Sequence, residues 1–236
     1  MSHPSYATAL IVGAGSGISA ALARLFTAQG LKVALAARDT GKLASLVAEI
    51  GAVAFAADAG DPAQVKRLFA EVTVAIGEPD IVVYNASGRV RGPLVELDPV
   101  AVKETLRVSA FGGFLVGQEA ARRHLARPQD ARRAILFTGA SASVKGYPGS
   151  APFAMGKFAL RGLAQSMARE LAPQGIHVAH FIIDGAVRSS ARPDPADKPD
   201  STLDPDAIAS SYWQVLQQPR NAWSWELELR PWVENF

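Results

Sequence analysis

The stretch IVGAGSGISAAL, residues 11–22, joins an apolar run of strand length to a helical run through glycines at 13, 15 and 17. Glycine carries no Cβ, so the turn can be tight and its backbone can lie against a ligand. The unpaired N–H groups and dipole at the start of the helix favour an anion, such as a pyrophosphate. A glycine-rich turn alone is a weak signal, but at the first strand–helix junction of an alternating chain it points strongly to a dinucleotide. Two frames fit: Gly15, Gly17 and Ala20 as Gly-x-Gly-x-x-Ala, or Gly13 and Gly17 as Gly-x-x-x-Gly-x-Gly with Ser19 in the last place. Ser16 and Ile18 belong to the same candidate loop. A plain strand–helix turn is the alternative.

The rest of the chain keeps that rhythm. Apolar runs at 7–12, 32–37, 52–57, 80–85, 134–139 and 177–183 alternate with helical stretches, the longest at about 99–126 and 151–172. Short buried strands separated by helices imply βαβ crossovers and a parallel sheet covered on both faces. Gly30, Gly51 and Gly77 stand where helix C-caps belong. Residues 188–206, RSSARPDPADKPDSTLDPD, have no periodicity. They read either as a mobile flap over a site or as a disordered surface loop. A helix, AIASSYWQVLQQ, and an alternating edge strand, SWELELR, follow.

Composition narrows the chemistry. The 236 residues contain no cysteine, which excludes disulfides, a thiol nucleophile and cysteine metal sites. Four scattered histidines argue against a zinc cluster. A net charge of +2 is too mild to imply nucleic acid. The basic group Arg122, Arg123, Arg127, Arg132 and Arg133 reads as a solvated helix end rather than an anion patch, because no aromatics interleave. No signal peptide or membrane-spanning run is legible, so no membrane partner and a cytoplasmic location are expected.

Arg38 follows the second strand, about 20 residues beyond the glycines. An acidic residue there would accept from the ribose 2′-hydroxyl of NAD, whereas an arginine offers a fork to a 2′-phosphate. Ala37-Arg38-Asp39 therefore points to NADP, with NAD left open by Asp39.

Taken together, these pieces resemble the short-chain dehydrogenase/reductase family over nearly the whole chain. The resemblance implies a single doubly wound α/β domain across 1–236, with strand order 3-2-1-4-5-6-7. It places Gly13, Gly17, Ile18 and Ser19 at the pyrophosphate and Asp58 at the adenine. Tyr84, Asn85, Ala86 and Ser87 stand for the family's Asn-Asn-Ala-Gly. Asp184 and Gly185, with Val187 and Ser189, stand for the Pro-Gly-x-x-x-Thr that cradles the nicotinamide end. It also implies a small-molecule substrate and a homodimer or homotetramer, formed through the two long helices.

The family's catalytic set is Asn, Ser, Tyr and Lys, the last two as Tyr-x-x-x-Lys on one helix face. Here Lys157 remains, but Phe153 takes the tyrosine position, Ala140 the serine position and Ser109 the asparagine position. Lys157 is the only charge in APFAMGKFAL, which suits contact with ribose hydroxyls better than an exposed helix lysine. A one-residue gap would bring Ser141 into the serine place, although a neighbour on an extended segment points away. Tyr147, Tyr212 and Asp184 are alternative proton donors, Asp184 only if burial raises its pKa. Two functions stay open: an NADP(H) oxidoreductase acting on a small carbonyl or alcohol through a non-standard donor, or a cofactor-binding protein without turnover, such as a sensor or assembly partner.

Overall fold

The computed structural model describes residues 5–234. Seven strands form one sheet: β1 (Thr8–Val12), β2 (Lys32–Ala37), β3 (Val53–Ala56), β4 (Ile81–Tyr84), β5 (Ala134–Thr138), β6 (His177–Ile183) and β7 (Glu226–Leu229). Their order is β3-β2-β1-β4-β5-β6-β7, and every pairing is parallel. The expected topology is therefore observed, including the seventh strand at the edge.

Strand alternation divides the core in two. Ala9 and Ile11 of β1 face the layer holding α1 (Ile18–Ala28) and α7 (Pro205–Leu216) with Phe26, Ile208 and Tyr212. Leu10 and Val12 face the opposite layer, where Phe69, Val116 and Leu160 come from α3 (Pro62–Ile76), α5 (Gly112–Leu125) and α6 (Ala151–Leu171). A short α2 (Ala44–Ile50) ends at Gly51, whose φ of 67° is the left-handed cap expected there.

Three helices begin with the same two-residue device. Asp61, Asp98 and Asp204 each precede a proline; Asp61 and Asp98 each accept two backbone N–H groups of the first turn of α3 and α4 (Pro99–Leu106), and Asp204 accepts one of α7. The aspartate satisfies orphan donors, and the proline loses nothing at a position without an intrahelical partner.

The helix expected over 99–126 is interrupted. Between α4 and α5, Arg107–Phe111 form a π turn. The Ser109 hydroxyl there accepts from Gly88 N (2.9 Å), and the Tyr84 hydroxyl donates to the Val108 carbonyl. Such widened turns form where contacts outside the helix compete with its own ladder.

The basic group near α5 is not simply solvated. Arg133 is 2% exposed and donates to the carbonyls of His124, Arg127, Gln129 and Gln174. Arg127 pairs with Asp80 at 2.5 Å, and Arg123 pairs with Glu78 and Glu119. These arginines clamp the end of α5 to the loops before β4 and β5. No described helix is long and apolar enough to cross a membrane.

Candidate functional site

The strand order reverses between β1 and β4, and a cleft of about 640 Å³ opens over the C-terminal ends of the strands there. Gly13 forms its inner corner. At φ 85° its backbone lies so close to Ala86 that an added Cβ would fall 2.2 Å from the Ala86 nitrogen. Gly15 and Gly17 face open space instead, with Gly17 preceding the first turn of α1. Ser19, where the glycine pattern breaks, is 1% exposed. Its hydroxyl donates to Gly13 O (3.1 Å) and accepts from Asn85 Nδ2 (2.7 Å), tying the loop to the end of β4. Ser16, Asn85 and Ala86 line the cleft.

Arg38, Asp39 and Lys42 line its far end. The Asp39 carboxylate turns away, accepting from Gly41 N (3.0 Å) and lying 3.5 Å from Lys42. The Arg38 guanidinium is exposed and makes no hydrogen bond or ion pair among the described residues, although its charge acts on Asp58 and Glu104. Asp58 also reaches the cleft, but its carboxylate is engaged: Oδ2 pairs with Arg107 (2.6 Å) and Oδ1 accepts from Gly60 N (2.8 Å). The Arg107 hydrogen bond holds this carboxyl below the ordinary range. Arg107 was not legible as a site residue, because nothing in a helical pattern announces a π turn.

A second pocket of about 510 Å³ adjoins Asn85. It brings together Ile18, Ala140, Ser141, Tyr147, Phe153, Lys157 and Val187. Lys157 is 3% exposed, so it is not an exposed helix lysine. Its ammonium donates to Thr138 O (2.7 Å), and burial lowers its pKa to about 8. Ser189 lies apart, beside Ser16, Gly17, Arg24 and Arg188.

Several expectations change here. Ala140 is extended, but Ser141–Ser143 form a 3-10 turn, so strand alternation does not govern Ser141, and both Ala140 and Ser141 line the pocket. Ser109 does not reach this pocket: it is fully buried, and its hydroxyl is committed to Gly88. Tyr212 is fully buried against Phe181 and bonded to Thr138 Oγ1 (2.9 Å), which excludes it as a donor to the cleft. Asp184 is not a raised-pKa acid. Burial pushes its carboxyl up, but the Ser141 hydroxyl, Lys145 (2.9 Å) and Arg230 (3.4 Å) outweigh that and hold it below the ordinary range. Tyr147 remains, about half exposed at the pocket wall.

Three further pocket residues went unread in the sequence: Arg89, Arg91 and Arg192. The Arg89 guanidinium lies over the Phe153 ring, 4.7 Å from its centroid. The available signal was Arg-x-Arg directly after Asn85-Ala86-Ser87-Gly88.

Residues 7–196 match the family model described as short chain dehydrogenase. Versicolorin reductase 1 of Aspergillus parasiticus is 33% identical over 187 residues, covering 77% of this chain and 70% of the relative. A solved short-chain dehydrogenase from Rhodopseudomonas palustris is 38% identical, with a TM-score of 0.81 over 97% of this chain and 100% of that one. A metagenomic short-chain oxidoreductase, solved in complex with NADP, is 27% identical, with a TM-score of 0.83 over 98% of this chain and 100% of the other.

Proposed function

The chain belongs to the short-chain dehydrogenase family, and on that premise we propose that it is an NADP(H)-dependent oxidoreductase acting on a small carbonyl or alcohol through a non-standard proton donor. The observation that carries this reading is Lys157, a buried ammonium whose pocket adjoins the glycine-loop cleft at Asn85. A cell would not bury such a charge against one carbonyl for packing alone, since a lone buried ammonium is costly. Its remaining donors suit ribose hydroxyls.

The other residues fit the same cofactor. Gly15 and Gly17 leave backbone open for a pyrophosphate at the start of α1. Arg38, with Lys42 beside it, is free to pair with a 2′-phosphate, which favours NADP over NAD. Bound there, the nicotinamide supplies or accepts hydride at the substrate carbon. Val187 supports the nicotinamide end and Ser189 the phosphates. Tyr147 is the remaining phenol at the pocket and our candidate donor, while Ser141, whose hydroxyl is given to Asp184, lines the same wall.

The segment 188–206 acts as a flap: it carries no helix before Pro205, Arg192 lines the Lys157 pocket, and Ser189 lies beside Ser16 and Gly17 of the glycine loop. Half-exposed Phe111, Phe114 and Phe158 on α5, α6 and the π turn fit pairing into a homodimer or homotetramer.

The second reading, a cofactor-binding protein without turnover, is favoured by Phe153 and Ala140, which offer no hydroxyl to the pocket. NADPH oxidation over a panel of carbonyl compounds separates the two. Turnover that is lost in Tyr147→Phe supports the first, and tight NADPH binding with no turnover on any compound supports the second.

A further inference from the structure

The pocket beside Lys157 has an unbalanced charge. Arg89, Arg91, Lys157 and Arg192 line it, against one carboxylate, Glu234. Asp184 lies behind its wall with Lys145 and Arg230 already against it. None of the three guanidinium groups has a carboxylate or carbonyl partner among the described residues. They come from two distant segments, the loop after β4 and residues 188–206, so their meeting at one cavity is not the solvated face of a single element.

Arg89 is held without using its donors. Its guanidinium stacks over Phe153 at 4.7 Å, and a ring face attracts the cation while leaving the N–H fork free. Arg89 is exposed, but partial desolvation, followed by the charges of Arg91 and Arg192, lowers its pKa, a shift that a bound anion would oppose. An oxidised nicotinamide is itself a cation, so the cofactor's reacting ring does not offset this charge. Phe153 thus has a use that a lost tyrosine does not explain: it is the platform for Arg89.

We propose that Arg89, Arg91 and Arg192 form a recognition site for the anionic group of the substrate, so that the protein takes a carbonyl or hydroxyl compound bearing a carboxylate or a phosphate. Both groups present paired oxygens to an arginine fork. The reacting carbonyl or hydroxyl rests on the oxidoreductase reading; the anion site itself does not.

Calorimetric titration of the full chain, with and without NADP, tests this using matched pairs: acetoacetate against pentane-2,4-dione, and glycerone phosphate against glycerone. We expect the anionic member of at least one pair to bind about tenfold more tightly or better. The pair that shows it separates carboxylate from phosphate. The preference should fall below about twofold in R89Q/R192Q and weaken with added salt. If that double variant fails to fold, R91Q alone should cut the preference about threefold or more. Equal binding within both pairs, or a preference untouched in the variants, overturns the proposal. NADPH binding without anion preference removes this inference and leaves the oxidoreductase reading, whereas anion preference without NADPH binding does the reverse.

Discussion

Lys157 Nζ donates to the Thr138 carbonyl oxygen at 2.7 Å, its one hydrogen bond among the described residues. Burial lowers the Lys157 pKa to about 8, against an ordinary lysine value of about 10.4. The folded chain therefore holds this proton less tightly than the unfolded chain. The resulting penalty is fully present below about pH 8 and is relieved as pH rises toward the ordinary value. A cofactor with several phosphate charges favours the protonated form. NADPH affinity, read by fluorescence titration, should therefore fall about tenfold between pH 7 and 9.5. Lys157→Met should bind weakly with no such fall. A wild-type affinity that stays flat across this range removes Lys157 from the cofactor site.

The glycines of the loop should separate folding from binding. At Gly13 a methyl group would meet Ala86 backbone at 2.2 Å with φ at 85°, so Gly13→Ala should cost about 2–4 kcal/mol of stability. At Gly15 nothing lies within 4 Å, so Gly15→Ala should change stability by less than about 1 kcal/mol. It should still weaken NADPH about tenfold, by holding the pyrophosphate off the backbone. Denaturant melts paired with NADPH titrations measure both. Equal stability losses at the two positions would contradict the geometry.

Cofactor choice turns on Arg38. Because Asp39 is occupied by Gly41 and Lys42, it does not compete for the ribose, and Arg38→Ala should remove most of the preference for NADPH over NADH. The loss should be about tenfold or more, as expected for a charge-assisted fork to phosphate. Titration with both nucleotides reads it, and a preference unchanged in the variant would refute the assignment.

The sheet was legible because every strand but the alternating edge strand β7 is a short apolar run set off by glycine or proline, and a parallel sheet buried on both faces needs little else. The three Asp-Pro helix starts obey equally local rules. The site was legible where backbone dictates residue type, at Gly13 and Asn85, and illegible where function depends on contacts between distant segments. Nothing near Asp184 in sequence reveals that Arg230 and Lys145 surround it, and nothing near Phe153 reveals Arg89. The π turn at Arg107–Phe111 was hidden for a related reason: its causes, Tyr84 and Gly88, lie outside the helix.

The Asp58–Arg107 pair should show itself in acid. Arg107 holds the Asp58 carboxyl below its ordinary range, so the pair's contribution is present above about pH 4 and is lost as pH falls through the lowered value. Both side chains are partly exposed, which limits the effect to about 1 kcal/mol. In urea melts, Arg107→Met should be less stable than wild type at pH 6, with the difference shrinking toward pH 3. A constant difference would mean that Arg107 acts through packing.

Phe153 and Ala140 face the same pocket, so restoring a phenol and a hydroxyl there is a test of what their absence costs. Phe153→Tyr adds one oxygen to a ring flanked by Arg89 at 4.7 Å and Lys157 at 5.9 Å, measured to the ring centroid. Two cations favour the phenolate, which is the direction a general acid–base tyrosine needs. Ala140→Ser adds a hydroxyl to hold the developing alkoxide. Ser109→Asn is not part of the design, because Ser109 already bonds Gly88, and its Cβ lies 2.7 Å from where a Cβ on Gly156 would sit. The double variant should oxidise NADPH about 10²–10⁴-fold faster than wild type on simple ketones and aldehydes. The gain should exceed the product of the single changes, since such groups act as a unit. If wild type already turns over neutral ketones rapidly, nothing was lost at Phe153, and Tyr147→Phe should then abolish the activity.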